Sequence, residues 1–462
     1  MAENGGSFKD WSLVLWLLVF GFLYLELCTL FFESRTPLET KYKAQRPKTK
    51  DQSPKTKSYA FMQIQLEKTL DVEVVEGQLA ELWKQIAGDS ESADDVAVMR
   101  ARVANLLVFV TNDSLLNEVH EMMLDLTAIH PSRVLMMLGL YEAPDRDIEM
   151  SVESYCQTDK RTGARRLCCE EVILNAQGSF VSELPSAALP LLVSDLSTFL
   201  WWRHVVQRSD KVFSSLLRAT DRLVIDSAEF ADTRRDLLEI NQLFAGGHSR
   251  RAGISDLNWA RLTSWRGLLA DFYDVTAYET SLDNIDRVRI DYVGPERDPE
   301  SVAPQALLIA GWLASRLGWE LADDPPIQGR NQTLSFNFMT ETRGSSPTIR
   351  EGSGGRAIKL GLNRVKRGER KPGTLAQVEL SSRAESGGDP ASFVVARSAD
   401  NLHLLTEAKL GASIQRGRVL PVRNRSAAQL LSREMEILCN DQIYQEAVAM
   451  AARMIDRSFP LS

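Results

Sequence analysis

Apolar and polar positions along the chain repeat with two different periods, and these periods predict the order of helices and strands. Residues 63–86 place apolar side chains close to every 3.6 positions, which predicts a helix with one buried face. Residues 102–110 (RVANLLVFV) are almost continuously apolar, as in a strand buried on both faces. A helix over 114–129, with Ser114 as its N-cap, and a strand over 134–140 follow. This spacing predicts a parallel pair of strands with a right-handed crossover.

The next stretch predicts an antiparallel hairpin in the same sheet. Residues 148–157 and 165–175 flank the polar turn 158–164, which contains Gly163. The segments 185–192 and 197–202 follow, and then a strand–helix unit at 223–225 and 237–243. The short polar stretch 246–251 (GGHSRR) is the predicted domain boundary.

The second half of the chain has a different pattern. Two Trp-bearing helices, 257–272 and 304–317, surround a strand at 288–293. Five alternating runs then predict an antiparallel meander with one wet face: 332–340, 356–362, 374–381, 392–397 and 402–408. Amphipathic helices at 426–438 and 444–455 follow. We therefore expect an α/β domain with a mixed sheet at 62–250 and an α+β domain at 251–462.

The N-terminal segment 11–32 contains only one residue that is charged at neutral pH, Glu26. As a helix it would span about 33 Å, close to the thickness of a bilayer core. Residues 35–57 hold eight basic and two acidic side chains, and the positive-inside rule places such a linker in the cytoplasm. We expect 1–61 to be a membrane anchor with a basic tether to a cytoplasmic body. Translation from Met62 would leave this segment out, and the signal-peptide alternative lacks a cleavage site.

Charge and composition narrow the class of protein. The chain has 462 residues, 44% hydrophobic and 25% charged, with a net charge of −8, which is typical of a globular protein. Residues 1–61 carry +3 and the remainder −11. An acidic body argues against a nucleic-acid binder, which needs a basic surface. Five cysteines without a CxxC motif fit a reducing compartment.

Motifs of catalysis and cofactor binding are absent from the sequence. It contains no GxGxxG after a strand, no GxxxxGK[ST], no HExxH and no GxSxG. We expect His120 and His130 to be surface or capping residues. Glu170 and Glu171 are neighbours on a strand, so they point to opposite faces and form no shared dyad. We therefore predict no catalytic residue, no metal site and no cofactor.

Three cysteines form the sharpest cluster in the sequence. If the hairpin turns near residues 161–163, Cys156 faces Cys168 or Cys169 within reach of a sulfur–sulfur contact. One interpretation is small buried hydrophobes. The other is a thiol–disulfide switch that a reductant such as thioredoxin would operate.

Tryptophans and a basic loop are the remaining candidates for partner binding. Tryptophan is enriched at binding hot spots, and core packing is the alternative for each residue. The tryptophans are Trp201, Trp202, Trp259, Trp265, Trp312 and Trp319. The first two are adjacent on a strand and must face opposite ways. Residues 363–373 (NRVKRGERKPG) form either a solvated hairpin loop or a dock for an acidic partner or phosphate groups.

Seven segments in chain order carry a resemblance to a known family. They are RVANLLVFV, HPSRVLMMLG, CCEEVIL, LPLLVSDLSTFLWWR, TDRLVIDS, LNWARLTSWRGLLADFYD and LLIAGWLASRLGW. Their number and order closely resemble the OpcA family, the assembly or activator proteins of bacterial glucose-6-phosphate dehydrogenase. The resemblance covers about residues 95–455. It departs from the family at Ser197, where a proline commonly stands, and at 11–32, because the family is soluble.

The resemblance implies a non-catalytic partner of glucose-6-phosphate dehydrogenase. Such a protein would promote the enzyme's active oligomeric form and raise flux into the oxidative pentose phosphate pathway. The alternative is an enzyme or a sugar-phosphate-binding protein with a pocket at the carboxyl edge of the parallel strands, near 111–114. An enzyme needs a deep pocket with convergent polar groups, whereas a partner protein needs an exposed apolar patch.

Overall fold

The computed structural model describes most of the chain from residue 60 onward. The described residues are 60–66, 72–88, 99–100, 103–127, 129–158, 165–246, 252–299, 301–329, 333–340, 355–383, 389–422, 425–437 and 439–458. They belong to one compact unit, Tyr59–Ser462. They confirm the predicted fold class, because a mostly parallel α/β sheet precedes a largely antiparallel one. The division into domains at 62–250 and 251–462 stays a prediction.

The first sheet is parallel at its centre and antiparallel at one side. Its described strands are β1 (Ala60–Leu66), β2 (Met99–Arg100), β3 (Ala104–Val110), β4 (Ser132–Leu140), β5 (Arg146–Thr158), β6 (Arg165–Gln177), β7 (Thr198–Trp202), β8 (Arg222–Ile225) and β9 (Gly253–Asp256). They lie in the order β1-β5-β6-β4-β3-β7-β8-β9, with β2 beside β6. Neighbours from β6 to β9 are parallel, and β5 is antiparallel to both β1 and β6. The predicted parallel unit and the predicted hairpin are confirmed.

Helices cover both faces of this sheet, because alternate residues of its parallel strands belong to two separate apolar clusters. The described helices are α1 (Val72–Gly88), α2 (Asp113–Thr127), α3 (Leu184–Ala188), α4 (Lys211–Arg218), α5 (Thr233–Ala245), α6 (Leu257–Arg261), α7 (Thr263–Asp271), α8 (Thr276–Asp283), α9 (Pro304–Arg316), α10 (Ala427–Glu436) and α11 (Gln442–Ser458). Helices α1, α4 and α5 pack on one face, and α2 and α10 on the other.

The second sheet differs from a simple meander because its first strand is inserted in the middle. Its described strands are β10 (Ile285–Val293), β11 (Trp319–Leu321), β12 (Ile327–Gln328), β13 (Thr333–Thr340), β14 (Ala357–Val365), β15 (Leu375–Ser382), β16 (Ala391–Arg397), β17 (His403–Leu410) and β18 (Ser413–Pro421). The order is β11-β13-β14-β10-β15-β16-β17-β18, with β12 beside β13. Strand β10 is parallel to β14 and antiparallel to β15. The five predicted runs are strands, and β18 is an additional one.

The predicted helix over 63–86 is wrong in its first part. Residues 60–66 form β1, which pairs with β5 from Ala60↔Cys156 to Leu66↔Met150. Ala60, Met62, Ile64 and Leu66 alternate with the residues between them, which is the period of a strand. Because the apolar residues of α1 follow closely, the two patterns merge in the sequence into one apparent helix.

Two helix boundaries also differ from the prediction. Helix α2 begins at Asp113, and the side chain of Asn112, rather than that of Ser114, accepts a hydrogen bond from the Leu115 amide at 2.9 Å. The predicted helix 257–272 is divided at Leu262 into α6 and α7. Asp256 caps α6, since its carboxylate accepts the Asn258 amide at 2.8 Å.

The predicted membrane segment 11–32, the linker 35–57 and the boundary residues 247–251 lie outside the described residues. Within the described ranges, no helix is long and apolar enough to cross a membrane. The anchor and the cytoplasmic placement of the body stay predictions.

The two sheets share one continuous apolar core. Helices α9 and α11 approach closely within it at Gly311, where the absence of a side chain leaves room for the backbone carbonyl of Ala447. A methyl group at this position would clash with that carbonyl. Alternate residues of the second sheet point away from this core, and on β18 nearly all are exposed. The site residues described below lie where the first sheet, α6 and α9 meet, and on the β5–β6 hairpin of the same sheet.

Candidate functional site

Charged side chains line the carboxyl edge of the parallel strands, the edge at which α/β sheets commonly bind ligands. Arg203 directly follows β7 and is 7% exposed. Its guanidinium donates to both carboxylate oxygens of Glu229, at 2.5 and 3.2 Å, and to Glu118 on α2 at 3.2 Å. Its charge is therefore matched by carboxylates of the same chain.

The ends of β8 and β9 add a second charged pair and a buried acid. Asp226 accepts two hydrogen bonds from Arg261, at 2.7 and 2.8 Å. Asp256 is 1% exposed and also accepts the Ser227 amide at 2.9 Å. Burial raises the pKa of Asp256 to about 6, and the nearby charge of Asp226 adds to the rise.

A chain of buried amides connects this edge to the second sheet. Asn258 donates to the Ser227 hydroxyl at 3.0 Å, and Gln305 on α9 donates to Asn258 at 2.7 Å. The backbone amide of Leu375, at the start of β15, donates to Gln305 at 3.1 Å. These buried hydrogen bonds thus fix the position of the second sheet relative to the first, so the polar groups of this edge have a structural role.

Aromatic rings fill the point where the strand order reverses, between β3 and β7. Phe109 and Trp202 stack with their centroids 4.3 Å apart, and His204 lies against both rings. Tyr141, after β4, stacks on His204 at 5.8 Å. The predicted pocket position near 111–114 is therefore bordered by packed aromatic side chains.

A cavity of about 340 Å³ opens two strands away, at the end of β8. Its lining includes Ser227, Phe230, Pro295, Pro304 and Lys371. Lys371 belongs to the basic segment 363–373. Residues 363–365 of this segment end β14, and the rest connects β14 to β15 across the end of β10, so it is not the hairpin loop that the sequence predicts.

The β5–β6 hairpin of the first sheet holds a cluster that sequence reasoning missed. Glu153 on β5 and Glu171 on β6 are opposed Cα partners, and both are buried. His120 on α2 lies with its Nδ1 3.6 Å from Glu171 and 4.0 Å from Glu153. The expectation that His120 is a surface or capping residue is wrong, because α2 packs on this face of the sheet. The polar contact with the Glu171 carboxylate raises the pKa of His120.

Glu170 and Glu171 do point to opposite faces, as predicted. Glu170 accepts hydrogen bonds from Arg133 and Trp83 on the face covered by α1. His130 lies near α10, with its Nε2 2.9 Å from the Ser432 hydroxyl and 3.5 Å from a carboxylate oxygen of Glu436.

The backbone places Cys156 opposite Cys168, which is one of the two predicted partners. Cys169 pairs with Tyr155 and is buried, so it belongs to the other face of the hairpin. The redox role of these cysteines stays a prediction.

The six tryptophans predicted at a partner interface lie in the core, each at most 7% exposed. Trp201 and Trp202 face opposite sides of the sheet, as expected, and join different apolar clusters. Their burial favours the alternative of core packing, because large aromatic side chains are the best fillers of space between layers. The assignment of these six residues to a partner interface stays a prediction.

Comparison with known proteins gives consistent matches over both halves of the chain. Residues 124–242 match the family model described as the N-terminal domain of the glucose-6-phosphate dehydrogenase subunit. Residues 252–448 match the model of the C-terminal domain of the same protein.

Curated relatives are named OxPP cycle protein OpcA. The Nostoc punctiforme protein is 29% identical over 212 residues, 46% of this chain and 43% of that protein. The Synechococcus elongatus protein is 26% identical over 325 residues, 70% of this chain and 67% of that protein. The chain thus spans less than half the length of the first relative.

Solved structures show a weaker likeness. A UDP-N-acetylglucosamine 3-dehydrogenase from Acidithiobacillus ferrooxidans has 11% identity and a TM-score of 0.39, over 76% of this chain and 96% of that one. An oxidoreductase from Bacillus cereus has 8% identity and a TM-score of 0.41, over 78% and 96%. Both scores are below 0.5 and establish no shared fold.

Proposed function

The chain belongs to the OpcA family of glucose-6-phosphate dehydrogenase subunits, and on this premise we propose that it is a non-catalytic assembly factor and allosteric activator of that enzyme. The observation that carries the proposal is the match of both family domains, in order, over the two halves of the chain. The carboxyl edge supports it, because Arg203 and Arg261 are paired with carboxylates of the same chain rather than aimed at a substrate.

Activation requires a difference in affinity between two states of the enzyme. A ligand that binds the active and inactive oligomers equally well shifts nothing, whereas about 10⁴-fold preference converts a 1:99 mixture into 99:1. The protein must therefore contact surfaces that only the active oligomer presents together. Its effect would be to support the oxidative pentose phosphate pathway.

The decisive experiment is a titration of the purified full chain into the cognate dehydrogenase. Substrate KM and oligomeric state, the latter by analytical ultracentrifugation, are measured at each ratio. We expect KM to fall or the larger oligomer to accumulate in a saturable way. If neither quantity changes, the chain does not act as an assembly factor.

We propose that the dehydrogenase docks on the outer face of β17 and β18. Leu405 and Val419 are opposed Cα partners on this hairpin, and Ile414 pairs with Lys409 further along it. The three apolar side chains are 40%, 61% and 57% exposed. Strand β18 ends the sheet, so both an apolar face and a strand edge are available, which is a combination that protein partners use.

Val419→Asp is expected to weaken binding of the dehydrogenase about 10- to 100-fold, the effect of losing one apolar anchor. Ile327→Asp is the matched control, because Ile327 is 54% exposed on β12 near the opposite side of the same sheet. Binding is measured by biolayer interferometry, and folding by circular dichroism. Equal affinities for the two variants would place the docking surface elsewhere.

We propose that Cys156 and Cys168 form a thiol–disulfide switch, since opposed residues of an antiparallel pair lie within disulfide range. A dithiol such as thioredoxin would supply two electrons, reduce the disulfide to two thiols and become a disulfide itself. Activation of the dehydrogenase is expected to change with reductant. Cys156→Ser should abolish the change, and Cys439→Ser, at an exposed cysteine, should keep it. A response that survives Cys156→Ser contradicts the switch.

One observation favours the second candidate, an enzyme or a sugar-phosphate-binding protein. The 340 Å³ cavity is large enough for a small ligand, and Lys371 brings a cation to its rim. Isothermal titration with glucose 6-phosphate tests this function. Binding that Lys371→Ala removes would support it, and the absence of heat would exclude that ligand.

A further inference from the structure

Two buried carboxylates face each other on the β5–β6 hairpin of the first sheet. Glu153 and Glu171 are directly opposed on β5 and β6 and are 2% and 1% exposed. Like charges in this position repel each other, and burial strengthens the repulsion. A folded protein keeps such a pair only where a cation or a proton compensates it.

The neighbouring residue shows how this same strand satisfies a buried carboxylate. Glu170 accepts two hydrogen bonds from Arg133, at 2.9 and 3.0 Å, and one from Trp83 at 2.6 Å. Both oxygens of Glu171, by contrast, lack a hydrogen-bond partner among the described residues. The Nδ1 of His120 lies 3.6 Å from a carboxylate oxygen of Glu171, which is longer than a hydrogen bond.

The three side chains converge from three elements onto one point. One ligand atom from each of His120, Glu153 and Glu171 lies within 4.8 Å of the others. The His120 side chain is 27% exposed, whereas the carboxylates are enclosed, so an ion would enter past the imidazole. Glu171, whose two oxygens lack a hydrogen-bond partner among the described residues, is the carboxylate that a cation at this point would satisfy.

We propose that His120, Glu153 and Glu171 form a binding site for a divalent transition-metal ion. Two carboxylates neutralise its charge, and the Nδ1 of His120 adds a nitrogen ligand. This donor set suits Zn²⁺, which is four-coordinate and can take three nitrogen and oxygen ligands from the protein with water as the fourth. Mg²⁺ and Ca²⁺ prefer six or more oxygens and fit less well. The ion would hold α2 against the hairpin that carries Cys156 and Cys168.

The test is titration of Zn²⁺ into the chelator-treated full chain, followed by calorimetry and thermal unfolding. We expect one saturable site and a rise of Tm with Zn²⁺, and no such rise with Mg²⁺ at equal concentration. If Zn²⁺ bound to the cysteines instead, substitution of a carboxylate would not change its affinity. The variants below therefore distinguish the two binding sites.

Glu171→Gln is the diagnostic variant because it changes two quantities in opposite directions. Without metal its Tm should exceed that of the natural chain, since one of the two repelling charges is removed. Its Zn²⁺ affinity should fall at least 10-fold, since a ligand is lost. Glu436→Gln is the matched control: this exposed glutamate lies 3.5 Å from His130, and its removal should leave Zn²⁺ affinity unchanged. Equal Zn²⁺ affinity in the natural chain and Glu171→Gln would overturn the proposal, as would the absence of Zn²⁺ binding.

Discussion

Arg133→Met is expected to lower the free energy of unfolding by about 3–5 kcal/mol, which is the cost of removing one partner of a buried ion pair. Arg133 is 2% exposed on β4 and contacts three other segments of the chain. It donates to Glu170 on β6, to Glu76 on α1 and to the backbone carbonyl of Leu191 at 2.9 Å. Methionine fills much of the volume but leaves the Glu170 charge buried without its cation.

The double variant Arg133→Met with Glu170→Gln separates charge from packing. Glutamine keeps an oxygen for the Trp83 indole, which donates to Glu170 at 2.6 Å, and removes the buried charge. Replacement of a whole buried pair is commonly close to neutral, so much of the lost stability should return. Urea unfolding measures both variants, with a constant m-value as the check of two-state behaviour. A double variant as unstable as Arg133→Met would mean that packing, not charge, dominates.

The contacts of Arg133 show why the fold was more predictable than its polar interior. The apolar runs predicted β3, β4 and the β5–β6 hairpin, because burial on one or both faces leaves a local pattern. Glu76 and Glu170, in contrast, lie 57 and 37 residues from Arg133. The local periodicity of the sequence cannot predict such a pair, since the pair depends on which strands and helices become neighbours in the fold.

The Glu153–Glu171 pair could have been predicted from the sequence, because the register of the hairpin determines it. Of the two registers predicted for the hairpin, the one that places Cys156 opposite Cys168 also places Glu153 opposite Glu171. Glu170 and Glu171 form no dyad along their strand, as predicted, and the dyad lies across the hairpin instead. His120 could not have been added, because the packing of α2 on this face is a tertiary contact.

The insertion of β10 between β14 and β15 could not be predicted from the sequence either, because it also depends on a tertiary contact. Its sequence predicts a strand, and Val288, Ile290 and Tyr292 are buried as expected. Strand pairing is decided by long-range burial rather than by chain order, so five runs in sequence looked like an uninterrupted meander. The segment 363–373 consequently crosses the end of β10 and reaches the cavity near β8.

Trp202→Ala is expected to destabilise the protein by about 3–5 kcal/mol, because the loss of a buried ring removes its transfer free energy and leaves a cavity. Trp202 stacks on Phe109 at 4.3 Å and meets Phe213 edge-on at 4.9 Å. Its indole also donates to the carbonyl of Val205 at 3.1 Å, and alanine would leave that group unpaired.

Trp202→Phe is the control that keeps a ring in this position. It should cost clearly less than alanine, because the ring contact with Phe109 is retained and only the indole hydrogen bond and some volume are lost. Thermal and urea unfolding give both values. If Trp202 were instead an interface residue on the free surface, alanine would cost under about 0.5 kcal/mol in the isolated chain and reduce binding of the dehydrogenase directly. Since 2% of the residue is exposed, we expect binding to change only as far as folding does.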